Sequence, residues 1–343
     1  MNDAISRGSM TPDSLGEGGM NQPDSVSNDS SPPSVADSVH ETVLLNESVD
    51  ALCIRSGMTI VDGTLGGAGH TRLIAERVGA GGKVLSLDAD LLAVERTRQR
   101  WPGSPIEPVH ANFSGLRAVL AERGIAAVDG LLLDLGLSSD QLADRERGFS
   151  FGSDGPLDLR FDTTRGASAS DLLNASSERE IADWIFQFGE ERASRRIARE
   201  IVAQRRAGLD WTADRLAALV ARCVPRSQVH PIHPATRTFQ ALRIAVNGEL
   251  ESLELILRES PSLLKPGARI AIISFHSLED RRVKEAFRGD PRWSPVNRKP
   301  ILPSAEEVAR NPRSRSAKLR VAERVPDEQI ESTPMAPKRF WGA

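Results

Sequence analysis

The sequence has no tyrosine, and among its 343 residues only two are cysteine, Cys53 and Cys223. Two cysteines make neither a disulfide framework nor a four-cysteine zinc site. No other cluster shows metal-ligand spacing, so no resident metal is expected. No apolar run approaches the roughly 20 residues that cross a bilayer; the longest lies near residues 270–275. The N-terminus lacks a basic stretch followed by an apolar one, so no secretory signal is expected. Together these absences point to the cytoplasm and away from membranes. No internal repeat is present.

What is there suits a globular protein of one large or two modest domains, with 27% charged and 39% hydrophobic residues. The net charge of −3 is unevenly spread. Residues 1–39 hold six acidic residues and one basic one among Ser, Gly, Asn and Pro. Such a segment buries too little apolar surface to offset its ordering entropy, so a disordered acidic tail is expected there. From Arg281 onward, 15 Lys and Arg face 8 Asp and Glu. That excess fits a polyanionic partner such as RNA and fits a solvated surface equally well.

From residue 40 strands and helices alternate. Residues 59–62, 83–88, 106–110 and 128–135 read as strands, with helices at 71–78, 91–100 and 114–123. The fourth strand is apolar enough to be buried on both faces. This alternation predicts an α/β fold with a parallel, doubly wound sheet. After residue 137 the pattern turns helical. Ser177 to Glu180 fits a capping box, Gly189 is expected to end that helix, and Thr212 is a candidate N-cap. From Pro234 one long helix is predicted, with Phe239, Leu242, Val246, Leu250, Leu253 and Leu257 on one face. Residues 268–275 read as a fifth buried strand and 318–323 as a late edge strand. The expected organisation is a Rossmann-like domain over 40–140 and 243–343, interrupted by a mainly helical insertion over 141–242.

The turn Asp62-Gly63-Thr64-Leu65-Gly66-Gly67-Ala68-Gly69-His70 joins the first strand to the first helix of the sheet. Glycines there let the backbone approach a ligand closely. The spacing lacks the G-x-G-x-x-G of dinucleotide sites. Asp62 precedes the glycines, where a carboxylate suits a ligand ammonium and repels a pyrophosphate. Asp88 ends the second strand, where it can accept hydrogen bonds from ribose hydroxyls. Asn112 and Phe113 follow the third strand and can flank an adenine; Asp134 ends the fourth. These groups favour S-adenosylmethionine over a dinucleotide, although Asp62 and Asp88 could also be simple helix caps.

Several longer segments carry a resemblance. They are His-Glu-Thr-Val-Leu-Leu (40–45), the glycine turn, Asp-Leu-Gly-Leu-Ser-Ser-Asp-Gln-Leu (134–142), Arg-Gly-Phe-Ser-Phe (147–151) and Gly-Pro-Leu-Asp-Leu-Arg-Phe-Asp (155–162). Phe-Gly-Glu-Glu-Arg (188–192), His-Pro-Ala-Thr-Arg-Thr-Phe-Gln-Ala-Leu-Arg (233–243), Ser-Phe-His-Ser-Leu-Glu-Asp-Arg (274–281) and Asn-Pro-Arg-Ser-Arg-Ser-Ala-Lys-Leu-Arg (311–320) complete the set. The chain resembles the bacterial 16S rRNA cytosine-N4 methyltransferase family, also called RsmH or MraW. The resemblance implies a class I (Rossmann-like) S-adenosylmethionine-dependent methyltransferase sheet with an inserted helical domain for substrate recognition. It implies that Ala68, Gly69, His70, Asp88, Phe113, Asp134 and Gln141 contact S-adenosylmethionine, alongside Asp62 and Gly67 of the turn. It implies a target cytosine N4 at position 1402 of 16S rRNA, in the decoding centre of the small ribosomal subunit. Asp140 and Leu137 depart from the Pro and Val common in relatives. A homodimer is admitted but not required.

Nitrogen methylation needs an acceptor for the amine proton. Asp134, Ser138 and His276 are the candidate catalytic residues, with Asp134 nearest the amine and the others orienting the base. With no tyrosine, Phe149, Phe151 and Phe275 are candidates for stacking on it. Carbon-5 methylation needs a cysteine nucleophile, and neither Cys53 nor Cys223 stands where one is expected. Candidate phosphate contacts are Arg192, Arg195 and Arg196, together with Arg237, Arg313, Arg315 and Lys318. The first three lie with Arg199 on one helix face, where neighbouring glutamates could pair with them instead.

Overall fold

A computed structural model describes residues 41–330 except 207, 209 and 225–232. The expected disordered tail at 1–39 lies outside the described residues. Seven strands form one sheet: β1 (Thr59–Asp62), β2 (Lys83–Asp88), β3 (Ile106–His110), β4 (Val128–Asp134), β5 (Leu264–Ser274), β6 (Trp293–Pro295) and β7 (Lys318–Arg324). The first helices are α1 (Leu45–Ala51), α2 (Gly69–Val78), α3 (Leu91–Arg100), α4 (Leu116–Glu122) and α5 (Ser139–Ala143). Then come α6 (Ala169–Ala175), α7 (Glu178–Gly189), α8 (Ser194–Arg206), α9 (Ala213–Cys223), α10 (Thr236–Asn247) and α11 (Glu249–Glu259). The series closes with α12 (Ser277–Gly289), α13 (Ala305–Arg310) and α14 (Asp327–Ile330).

The sheet order is β3-β2-β1-β4-β5-β7-β6. The first five strands are parallel, and β7 runs antiparallel to both β5 and β6. The fourth strand has the double burial that its composition demands: Leu131 and Leu133 point into one core with Leu87, Leu116 and Ile256, while Leu132 enters another with Ile60, Ile74 and Val84. A further apolar core lies among the helices between β4 and β5. Leu173, Ile181, Ile185, Ile197, Ile201, Leu216, Val220 and Leu242 fill it. The architecture is therefore a Rossmann-like sheet with a helical layer inserted between its fourth and fifth strands.

Two local expectations are corrected. Residues 318–323 are not an edge strand: β7 lies between β5 and β6, and the short β6 takes the edge. The long helix from Pro234 is two helices, because Gly248 adopts a left-handed conformation at φ 56° and separates α10 from α11. Gly189 is the last residue of α7, as expected, without itself taking the left-handed conformation. Glu190 takes that conformation, at φ 51°. Gly189 answers a packing need instead, since a Cβ there would lie 2.5 Å from the Arg237 carbonyl oxygen of α10. The capping box at Ser177 and Glu180 forms as expected, whereas Thr212 starts α9 without a side-chain cap bond.

Candidate active site

The chain leaves β1 through a turn that has no room for a side chain at two of its glycines. A Cβ on Gly63 would collide with Leu133, and one on Gly69 with Thr42. Gly66 and Ala68 both have positive φ, 49° and 64°. The turn is pinned to β2 by the bond from Leu65 N to Leu87 O, 2.8 Å, and by Gly66 N donating to Asp88 Oδ2, 2.7 Å. A cavity opens where β1, β2, β4 and β5 end, which is where parallel α/β sheets bind ligands.

Of the residues singled out from the sequence, Gly67, Gly69, His70, Asp88, Phe113, Asp134, Ser138, Gln141 and Arg313 come together on this cavity wall. Asp62 does not. It is fully buried beneath the turn, accepting from Thr64 N at 3.1 Å and from the Thr71 hydroxyl at 2.7 Å. Burial raises its pKa. Ala68 is likewise buried and off the wall. Asp88 accepts from Gly66 N and, at 2.8 Å, from Asp90 N. Each carboxylate oxygen keeps a second lone pair for a ligand hydroxyl. Burial pushes this carboxyl up to about 6.

Asp134 ends β4 with its backbone N–H donating to the Thr64 hydroxyl, 2.6 Å. Its Oδ1 is buried without a hydrogen-bond partner, and its Oδ2 lies 3.7 Å from His70 Nδ1. Burial raises its pKa well above the usual range, and the negative charges of Asp62 and Glu279 push the same way. Ser138 caps α5: its hydroxyl accepts from Gln141 N while Gln141 Oε1 accepts from Ser138 N, both at 3.1 Å. His276 caps α12 and is not on the wall. Its Nδ1 accepts from Glu279 N, and Nε2 lies 3.1 Å from Glu279 Oε1, off hydrogen-bond direction.

Sequence reasoning missed several wall residues. Phe161, Asn247, Glu249 and Glu279 all line the cavity. Asn247 holds Phe161 in place by accepting from its N–H at 2.7 Å and donating to Leu159 O at 2.7 Å. Burial raises the Glu279 carboxyl. The His276 and Arg243 charges and the Phe275 N–H outweigh that and hold it below its ordinary range. Glu249, His276 and Glu279 present ligand atoms within 4.8 Å of one another. Arg243 already engages both Glu249 oxygens, at 2.7 and 2.9 Å, which weighs against a cation among them. Of the candidate stacking rings, Phe275 is on the wall against Gly136. Phe149 belongs to the helical core, and Phe151 stacks on His233 with centroids 4.8 Å apart.

The basic candidates divide. Arg192, Arg195 and Arg196 are exposed near and along α8. Arg237 and Arg315 are exposed too, and Arg313 reaches Ser139 Oγ at 2.8 Å beside the cavity. Lys318 is half-buried, 3.4 Å from Asp280. Cys53 is exposed and Cys223 buried in the helical core, neither on the cavity wall. Among the described residues no helix is long and apolar enough to cross a membrane.

The sheet order, the glycine turn and the acidic groups ending β2 and β4 define a class I S-adenosylmethionine-dependent methyltransferase. The groups present fit that cofactor: Asp88 has lone pairs to spare, and Asp134 presents an unpartnered oxygen. More particularly, residues 37–325 match the MraW methylase family, and the chain belongs to it. It is 50% identical over 303 residues to ribosomal RNA small subunit methyltransferase H of Rhodopirellula baltica, covering 85% of this chain and 93% of that one. The protein of the same name from Thermomicrobium roseum is 48% identical over 307 residues, covering 83% and 94%.

Proposed function

We propose that the protein methylates N4 of a cytosine in 16S rRNA, at position 1402 of the decoding centre, acting on the small ribosomal subunit in the cytoplasm. The observation that carries the chemistry is the buried, unpartnered Oδ1 of Asp134 on the cavity wall. The relatives' names support rRNA of the small subunit as substrate. S-adenosylmethionine supplies an electrophilic methyl group. Residues Gly67, Gly69, His70, Asp88, Phe113 and Gln141 are the proposed binding set, with Asp62 and Ala68 shaping the turn from below.

The exocyclic amine is a weak nucleophile because its lone pair is conjugated into the ring. A carboxylate accepting an amine hydrogen localises that lone pair and takes the proton as the new bond forms. Asp134 has that role. Phe275, across from Gly136, offers a stacking face for the displaced base. Ser138 and His276 act by capping α5 and α12, which fixes the walls on either side of the base. The helical layer, residues 141–242, is the proposed substrate-recognition domain on a methyltransferase domain of 40–140 and 243–343. Arg192, Arg195, Arg196, Arg237, Arg313 and Arg315 are its proposed phosphate contacts and those of the C-terminal segment. Lys318, already engaged by Asp280, is a structural cation.

Nucleoside analysis after incubation with small subunits tests this reading. N4-methylcytidine is expected. Formation of 5-methylcytidine, or of no methylated cytidine, overturns it.

A further inference from the structure

The basic excess that begins at Arg281 is not spread evenly through the fold. Many of its cations are matched. Arg282 meets Glu254 at 2.6 Å, Arg292 meets Asp290, and Lys318 and Arg320 share Asp280. Arg310 engages Glu41, and Arg324 engages Asp327. Arg281, Lys284 and Arg288 differ. They stand at i, i+3 and i+7 of α12, on one face of that helix. Arg281 and Arg288 are exposed and Lys284 is half-buried. The opposite face is buried through Leu278, Val283, Ala286 and Phe287. Asp280 and Arg282 lie to either side of the row, each already paired. Among the described residues no carboxylate pairs with the outward three, and Glu285, exposed at the edge of the row, forms no ion pair with them.

The row is continued at both ends. Where α12 starts, Phe275 and Glu279 line the cavity, so Arg281 stands within one helical turn of the site. At the far end Arg288 Nη2 donates to the Arg298 carbonyl at 3.4 Å. That bond holds the loop carrying Arg298 and Lys299, both exposed and, among the described residues, without a carboxylate partner. Asn297 fixes the same loop, accepting from Val321 N at 2.9 Å and donating to Lys299 O at 2.8 Å. The helical rise spreads Arg281, Lys284 and Arg288 over about 10 Å of the axis, with about 5 Å between neighbours.

A surface that serves solubility alone intersperses both signs of charge. A row of one sign, leading away from a cavity on a rigid helix, suits a chain of regularly spaced anions. Each guanidinium or ammonium can neutralise one phosphate and release its counterions. We propose that α12 and the 297–299 loop form a cationic track for the rRNA backbone leading to the displaced cytidine. This rests on the reading above that the cavity receives that cytidine. The track belongs to a different element from the α8 arginines and adds a contact surface on the methyltransferase domain itself. The fixed loop and the short helical spacing hold the charges in place before RNA arrives, so less ordering entropy opposes binding.

The test titrates the full chain over a salt series, against small subunits and against protein-free 16S rRNA. The triple variant Arg281→Gln, Lys284→Gln, Arg288→Gln is expected to lower the slope of log affinity against log salt by about 3 on both, at about 1 per lost phosphate contact. Arg298→Gln with Lys299→Gln is expected to lower it by about 2. Arg281→Lys with Arg288→Lys retains the charge and is expected to retain the slope. Glu285→Gln removes a repelling charge and is expected to tighten binding. Melting temperature and S-adenosylmethionine affinity should stay at the parent values in all four. An unaltered slope in the triple variant overturns the proposal. So does a loss confined to assembled subunits, which would assign the row to a ribosomal protein. The two readings fail differently. A lowered slope on rRNA, with no N4-methylcytidine formed by the unmodified protein, sinks the proposed function and leaves the rRNA track. N4-methylcytidine formed with an unaltered slope sinks the track alone.

Discussion

The guanidinium of Arg147 lies 2.8 Å from Asp90 Oδ2, and both side chains are more than nine-tenths buried. The pair ties the loop after β2 to the segment that follows α5. Asp90 also caps α3 through Leu92 N and meets Gln141 Nε2 at 3.4 Å, while Arg147 donates to Phe161 O at 3.2 Å. One ion pair thus holds two cavity-wall residues, Gln141 and Phe161, against the cofactor loop. Arg147→Met leaves a buried carboxylate without its partner and is expected to cost about 3–5 kcal/mol. Adding Asp90→Asn should recover part of that loss, which denaturant unfolding of the three variants would measure.

Cofactor binding should depend on the ionisation of Asp88. Its carboxyl titrates near 6 in the folded chain because of burial, and ribose hydroxyls need the ionised form as acceptor. Affinity for S-adenosylmethionine is expected to fall about tenfold per pH unit below that value, and to be nearly flat above it. The stability sign is opposite to that of a salt-bridged aspartate. Between the ordinary value and about 6 the folded state holds the extra proton. The contribution of Asp88 to apo stability is therefore present at low pH and lost as pH rises through about 6. Calorimetric titration across pH checks the first statement, and unfolding across pH in Asp88→Asn against the parent checks the second.

Gly189→Ala should destabilise the helical layer. The added Cβ would meet the Arg237 carbonyl oxygen at 2.5 Å and Ala241 Cβ at 3.3 Å. Overpacking of this kind costs about 1–3 kcal/mol, against a helix-propensity gain of less than about 1 kcal/mol. A lower melting temperature with unaltered cofactor affinity is the expected outcome.

Much of the sheet is legible in the sequence, because a central parallel strand is covered on both faces and residues 128–135 are apolar enough for that place. The strand at 318–324 is harder. Its pairing between β5 and β6 depends on β6, three residues with no pattern of their own. The break at Gly248 is hidden because the apolar face continues through it, with Leu242 before and Leu250 and Leu253 after. At the site, the residues ending strands are legible, since strand ends are where ligands bind. Phe161, Asn247 and Glu279 reach the cavity through tertiary contacts that no local spacing records. Asp62 is a different case. Its position suggested a ligand group, yet two neighbouring threonines already occupy its oxygens.

The exposed arginines near α8 should act through charge. Arg195→Ala with Arg196→Ala is expected to weaken binding to small-subunit rRNA and to lower the slope of log affinity against log salt by about 1 per lost phosphate contact. Cofactor affinity should not change. Lys318→Ala, at a residue already held by Asp280, should leave that slope unaltered. Filter binding over a salt series separates these outcomes.

The most direct measurement is to supply labelled S-adenosylmethionine and small subunits from a strain that lacks the activity, and to map the label by mass spectrometry of rRNA fragments. The account predicts one methyl group on N4 of the cytosine at position 1402, and its loss with Asp134→Asn. Label on another atom or nucleotide, or full incorporation by Asp134→Asn, would contradict it.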